Sequence, residues 1–219
     1  MSQKKLIPFI NAENEVASSV VRLAERYSCE GADGLYLYNF SGDEKSQGEF
    51  LAAVRRIEKQ IDIPFYVGVY VERLEDAKKA LYTGASKVVL RKALLPSEEE
   101  LGQVLARFGR EKLAIEIDMK ADFQDSGKLD AFYEMGFATA VLKHIDTTKN
   151  FSEAVSNRKI EIMVRDGLIR NDLAEIFSYP AVKAVMTNYF EEKDIYKAKR
   201  GLKNQGIEVE VFESLIDFS

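Results

Sequence analysis

One alternation, repeated eight times, constrains this chain more than any other feature. A short apolar run rich in β-branched residues is followed by a longer stretch with apolar residues at helical spacing. The strand-like runs are 6–10, 34–39, 63–69, 87–90, 113–117, 139–142, 160–164 and 183–186. The helical stretches are 15–29, 47–61, 72–82, 98–108, 125–135, 148–158, 171–178 and 191–205, and 209–212 reads as a short tail strand. Strands alternating with helices imply a parallel sheet. Eight such units in 219 residues, about 27 residues each, predict a single-domain α/β fold, a (β/α)8 TIM barrel. A doubly wound open sheet is the alternative. No linker or low-complexity segment divides the chain, so the barrel is expected over 1–211 and a tail over 212–219.

Local signals fit this pattern. Ser97 followed by Glu98, Glu99 and Glu100 reads as a capping box at the start of the fourth helix. Gly31, Gly84 and Gly136 each fall where a helix must stop before the next strand.

Composition narrows the function. The net charge of -5, from 31 basic and 36 acidic residues, argues against a nucleic-acid partner, although a local cationic pocket remains compatible with it. The single cysteine, Cys29, cannot form an intrachain disulfide and fits a reducing compartment; on its helix it is expected to be a buried packing residue. With one cysteine and one histidine, His144, no metal site is expected. The sequence lacks GxGxxG, GxxxxGK[ST] and GxSxG, so no cofactor is implied. No apolar run approaches the roughly 18 residues of a membrane span or the roughly 7–15 of a secretory signal. The expectation is a cytoplasmic protein with no membrane partner.

In a barrel of this class, chemistry sits where the strands end at their C-termini. The residues there are Asn11, Asn39, Gly68 with Tyr70, Arg91 with Lys92, Asp118 with Lys120, Lys143 to Asp146, Arg165 with Asp166 and Gly167, and Thr187 with Asn188. Cations predominate, and cations at a barrel mouth can hold phosphate. Equally, Arg91, Lys143 and Arg165 could pair around the rim with Asp118, Asp146 and Asp166. His144, alone after its strand, reads more simply as a hydrogen-bonded loop residue than as a catalyst.

Longer stretches resemble a known family. Glu58-Lys59-Gln60-Ile61-Asp62-Ile63-Pro64-Phe65 running into Val67-Gly68 is similar to the approach to strand three in the cyclase subunit of imidazole glycerol phosphate synthase. Leu74-Glu75-Asp76-Ala77, Gly84-Ala85 and Lys87-Val88 continue the likeness, as does Arg107-Phe108-Gly109 leading to Ala114-Ile115-Glu116-Ile117-Asp118-Met119-Lys120. Leu6-Ile7-Pro8, the run from Phe190 to Ile195 and the run from Leu202 to Ile207 resemble it too. The resemblance covers nearly the whole chain and is strongest over 55–120.

This resemblance to the histidine-biosynthesis barrels implies a phosphorylated ribosyl or ribulosyl small molecule as partner, with a phosphate at each end, bound across the mouth. It implies two catalytic aspartates, one after strand one and one after strand six, and a glutaminase subunit that delivers ammonia through the barrel. The first aspartate falls on Asn11, whose amide cannot take up a proton as a carboxylate does. The second falls on Asp146 and is kept. The long loop after strand one is missing. The family's phosphate-binding loops fall on Gly68, Arg91 with Lys92, Arg165 with Gly167, and Thr187 with Asn188, where bulky side chains replace small ones. Glycine in such loops lets backbone N–H groups approach a phosphate. Arg91, Lys92 and Arg165 would supply side-chain donors instead. The resemblance therefore points to a degenerate cyclase-like barrel. An active cyclase or phosphoribosyl isomerase using Asp146 is one alternative, and an unrelated phosphate-binding barrel using Arg91, Lys143 and Arg165 is another. Residues 212–219 resemble the junction to a fused phosphoribosyl-AMP cyclohydrolase and phosphoribosyl-ATP pyrophosphohydrolase module.

Overall fold

A computed structural model describes residues 3–13, 15–121, 128–145, 149–156, 158–166, 172–188 and 194–211. Its strands are β1 (Lys5–Ile7), β2 (Phe9–Asn11), β3 (Leu35–Asn39), β4 (Phe65–Val69), β5 (Lys87–Arg91), β6 (Leu113–Asp118), β7 (Thr139–Lys143), β8 (Glu161–Arg165) and β9 (Val182–Met186). The helices between them are α1 (Ala17–Cys29), α2 (Glu44–Glu58), α3 (Leu74–Leu81), α4 (Glu98–Phe108), α5 (Lys128–Met135), α6 (Lys149–Val155), α7 (Leu173–Ser178) and α8 (Ile195–Asn204).

Every ladder is parallel, and the sheet runs β1-β9-β8-β7-β6-β5-β4-β3-β2. β1 and β2 are one stave interrupted at Pro8. Proline offers no ladder donor, and here it marks a hand-over: β1 pairs with β9 and β2 with β3. The ring therefore closes on this one stave, and the fold is the (β/α)8 barrel expected from the alternation. Each strand is buried on both faces, as a parallel sheet covered by helices requires.

Two apolar layers result. The outer one, between strands and helices, contains Leu35, Leu37, Val67, Val88, Ile115, Ile117 and Leu142 with helical partners such as Val54, Ala77, Val104 and Phe151. The inner one fills the barrel with Ile7, Phe9, Tyr36, Tyr38, Phe40, Tyr66, Val89, Ala114, Val141, Met163, Ala184 and Met186.

Several local expectations are corrected. α2 begins at Glu44 instead of Gln47, because the Asp43 carboxylate caps it by accepting from the Ser46 amide at 2.7 Å. Ser97 does cap α4, accepting from the Glu100 amide at 3.3 Å. The reciprocal half of the capping box is not made, because the Glu100 carboxylate accepts from the Leu74 amide at 3.1 Å and ties α4 to the start of α3. Cys29 is exposed at the end of α1, not buried. The tail strand is reduced to a single bridge between Val209 and Lys4. Gly31, Gly84 and Gly136 all have positive φ, as helix-terminating glycines should. The expected helix starts at 125–127, 148 and 191–193, and the tail 212–219, lie outside the described residues. Among the described residues no helix is long and apolar enough to cross a membrane.

Candidate functional site

At the C-terminal end of the barrel the inner layer turns from apolar to ionic. β6 reads Leu-Ala-Ile-Glu-Ile-Asp, and alternation sends Ala114, Glu116 and Asp118 inward. Glu116 is only 1% exposed. A carboxylate there is tolerable only if it is paired. The β5–β6 register sets Arg91 directly opposite, and Arg91 Nε donates to Glu116 Oε1 at 3.0 Å. On the other side Arg165 Nε lies 3.1 Å from Glu116 Oε2, an ion-pair contact out of line for a hydrogen bond. The Tyr36 hydroxyl donates to the same Oε2 at 3.0 Å. Burial and the neighbouring Glu116 charge push the Tyr36 phenol well above its ordinary pKa, so it remains a donor.

Aromatic rings surround this core. β3 presents Tyr36 and Tyr38 inward with Phe40 just beyond, and adjacent ring centroids are 5.3 and 5.8 Å apart. The Arg91 guanidinium lies 3.8 Å from the Phe40 ring centroid. Arg165 sits against Phe9 and Tyr38, and its Nη1 donates to the Tyr38 hydroxyl at 3.0 Å. Burial disfavours the charged form of Arg165, but Glu116, Tyr36 and Tyr38 together outweigh burial and raise its pKa. Gly68 faces this cluster from β4. A Cβ there would meet Tyr36 Oη at 2.7 Å, Phe40 Cζ at 2.8 Å and the Tyr38 Cβ at 2.8 Å. Glycine is thus needed to admit the rings.

A second ionic group lies at the rim. Asp118 Oδ2 accepts from His144 Nδ1 at 3.0 Å and pairs with Lys143 Nζ at 3.4 Å. Asp118 Oδ1 accepts from the amides of Lys120 and Ala121. Partial burial opposes ionisation of Asp118, but the hydrogen bonds from His144 and the two amides, with the His144 charge, bring its pKa to about 2. Among the described residues, Arg91, Lys92, Lys120, Lys143 and Arg165 stand with Glu116, Asp118 and Asp166 around the ends of β5 to β8.

The sequence-derived site residues divide accordingly. Gly68, Arg91 and Arg165 converge, but on Glu116 and the rings. Lys92 opens the 3-10 turn that follows β5. Asn188 Oδ1 accepts from the Phe9 amide at 2.8 Å, next to the ladder gap at Pro8. The Thr187 amide donates to the Ile7 carbonyl, which ties this segment to the split stave. Asn11 is exposed, and its side chain accepts from the Glu13 amide at 3.0 Å. Asp146 and Gly167 lie outside the described residues. The expected rim pairing of cations with carboxylates is realised for Lys143 with Asp118. The arginines choose Glu116 instead, which was not among the candidates. Its signal was present: a lone charge in the centre of an apolar strand, opposite Arg91 in register. Among the described residues no three His, Cys, Asp or Glu side chains cluster as metal ligands would.

Known proteins agree with this architecture. The chain is 26% identical over 234 residues to imidazole glycerol phosphate synthase subunit HisF of Helicobacter hepaticus, covering 94% of this chain and 92% of that one. It is 25% identical over 264 residues to the same subunit of Nitrosopumilus maritimus, covering 95% and 99%. Over a shorter stretch of 112 residues, 51% of this chain and 44% of the relative, it is 30% identical to that of Dictyoglomus thermophilum. Residues 9–170, from the start of β2 past β8, match the family described as histidine biosynthesis protein, and this HisF-like barrel belongs to that family.

Proposed function

We propose that this chain is a histidine-biosynthesis barrel without cyclase turnover, serving as a binding, scaffold or regulatory domain. The observation that carries this reading is the buried Glu116, which holds Arg91 and Arg165 inside the barrel. Those arginines were the side chains best placed to replace the family's lost backbone phosphate donors. Bound to Glu116, they already have an anion. Asn11 adds to the argument, because a missing general acid or base typically costs about 10²–10⁴-fold. The Tyr36, Tyr38 and Phe40 rings also pack across the barrel interior. On this reading a docked glutaminase is held for assembly and not for ammonia transfer.

The test is calorimetric titration with the bis-phosphorylated ribulosyl substrate at low salt, followed by an assay with added ammonia. The expected result is no turnover, and binding, if any, through Lys92 and the remaining rim. Turnover near that of an intact cyclase would overturn the proposal and restore Asp146 as the working carboxylate. The same reading takes 1–211 as the barrel and 212–219 as the junction to a cyclohydrolase and pyrophosphohydrolase module. An antibody against the barrel should then detect a polypeptide much larger than 24.8 kDa in the source cells, and a band at 24.8 kDa refutes the junction.

A further inference from the structure

Outside the bore, a cavity separates the starts of α2 and α3. Gly68 faces the inner rings, so strand alternation turns the next residue, Val69, toward the outer layer. Val69 and Leu51, 2% and 7% exposed, form the apolar floor of this cavity, whose volume is about 330 Å³. Small-molecule sites begin at about this size. Half-buried Tyr70 forms one side, and a Cβ on Gly42 would lie 4.0 Å from its ring. Gly48 lines the α2 wall from inside the helix, where glycine is less stable than alanine. A Cβ at Gly48 would meet nothing within 4 Å, so internal packing does not demand glycine there. Its missing side chain keeps the cavity open.

The charged groups on the walls are unevenly committed. On α3, Lys79 pairs with Asp76 at 3.8 Å, and Asp76 Oδ2 accepts from the amides of Glu72 and Arg73. On the α2 side, the Gln47 side-chain amide donates to the Asn39 and Ser41 carbonyls, both at 2.7 Å. The Arg73 guanidinium and the Glu44 and Glu72 carboxylates remain, and none of the three pairs with a described side chain. All eleven residues lining the cavity are described, so both signs of charge are counted in full. Glu44 opens α2 and Arg73 precedes α3, which sets opposite charges on facing walls. With two carboxylates to one guanidinium, the cavity disfavours a bare anion. A zwitterion matches it. From this arrangement we infer that the cavity between α2 and α3 binds a free α-amino acid with an apolar side chain. The amino acid's carboxylate goes to Arg73, whose planar fork can hold it through two hydrogen bonds. Its ammonium goes to Glu44 and Glu72, and its side chain lies on Leu51, Val69 and the Tyr70 ring. The site uses neither Glu116 nor any carboxylate at the mouth, so it stands whether or not cyclase turnover is lost.

The probes are L-phenylalanine and L-leucine, titrated calorimetrically at neutral pH. N-acetyl-L-phenylalanine and L-phenylalaninamide serve as controls, because each keeps the ring but removes one charge of the zwitterion. At least one of the two amino acids should saturate the protein at millimolar or lower concentration. Each control should bind roughly tenfold more weakly than L-phenylalanine, the worth of one charge-assisted hydrogen bond. Arg73→Gln should weaken the amino acid by a similar factor and leave L-phenylalaninamide, which lacks the carboxylate, unchanged. Gly48→Leu fills the cavity and should abolish binding. Leucine is a better helix former than glycine and enters open space, so the melting temperature of this variant should not fall. Failure of both amino acids to saturate the unaltered protein overturns the inference. So does equal affinity for the acetylated form, or undiminished binding in a folded Gly48→Leu. The bis-phosphorylated ribulosyl substrate should behave alike in Gly48→Leu and the unaltered protein, so its binding or turnover bears only on the proposed function.

Discussion

Replacing Glu116 with glutamine tests the internal plug most directly. The side chain keeps its shape, but Arg91 and Arg165 lose the charge between them. Glu116 is 1% exposed, and the Arg165 side chain is 11% exposed, so little water can substitute. Breaking a buried pair by removing one partner typically costs about 3–5 kcal/mol, because an uncompensated charge stays buried. Here two guanidiniums share the carboxylate, but Arg91 is 25% exposed and can relax outward, which favours the lower half of that range. For a chain of this size each kcal/mol moves the melting temperature by roughly 2–4 °C, so a drop of about 6–16 °C is expected. Circular-dichroism melts and urea titrations of Glu116→Gln against the unaltered protein measure it. Replacing Glu116, Arg91 and Arg165 together with methionine should recover most of the loss, because an apolar cluster of similar volume removes the stranded charges as well. A loss below about 1 kcal/mol for Glu116→Gln would mean that water reaches the pair. The mouth would then be open, and Arg91 and Arg165 would be free to take a phosphate.

Other consequences are open to measurement. Gly68→Ala drives a methyl into Tyr36, Phe40 and Tyr38 at under 3 Å, and should cost about 1–3 kcal/mol of overpacking in urea unfolding. The pKa of Asp118, about 2, is depressed below its unfolded value near 4, so its contribution is present at neutral pH and fades as pH falls from about 4 to 2. Asp118→Asn should therefore be destabilised at pH 7, by at most about 1 kcal/mol because water screens this rim site, with the gap to the unaltered protein closing as pH falls to about 2. Lys199 is 2% exposed and donates to Asp33 at 2.6 Å and to the Gly31 carbonyl at 2.7 Å, so Lys199→Ala should cost about 3–5 kcal/mol in the same titration. Asn11→Asp restores a carboxylate at the mouth but leaves the plug, and should give no measurable ammonia-dependent turnover; a gain of 100-fold over background would show that Asn11 alone had silenced the site.

The barrel was legible because its outer layer is written as periodicity. Residues such as Val54, Ala77 and Val104 recur at helical spacing against strands whose Leu37, Val67 and Ile115 read as continuous apolar runs. Pro8 in the first apolar run signals a missing ladder donor, but nothing in the run says that its two halves pair with different neighbours. The site was harder to read because contacts across a closed barrel join residues distant in sequence. Tyr36 reaches Glu116 across 80 positions and Arg165 reaches Tyr38 across 127. Listing the cations at strand ends found Arg91 and Arg165, yet their partner could be recognised only once register was known. Asn188 shows the same limit: a polar residue at a strand end reads as a ligand donor, but here it serves the Phe9 amide beside Pro8.

The two layers of this barrel answer to different constraints, which is how a mouth can change while the fold persists. Closure depends on the outer apolar layer, which contains none of Glu116, Arg91 and Arg165, and on the parallel ladders, which use only their backbones. Substitutions on the inward phase of β5, β6 and β8 can therefore exchange a ligand for an internal anion without loss of the ring. The exchange has a quantitative consequence for binding. A phosphate that uses both arginines must first displace Glu116, leaving that carboxylate buried or forcing it to take up a proton. At about 3–5 kcal/mol this penalty weakens affinity by roughly two to nearly four powers of ten. A phosphate that avoids the arginines pays no such penalty, but it must rely on Lys92 and Lys120, whose exposed or half-exposed ammonium groups are weakened by salt. Steep salt dependence together with weak binding is thus the signature expected of any phosphorylated ligand here. Tight, salt-insensitive binding would require the arginines to have left Glu116.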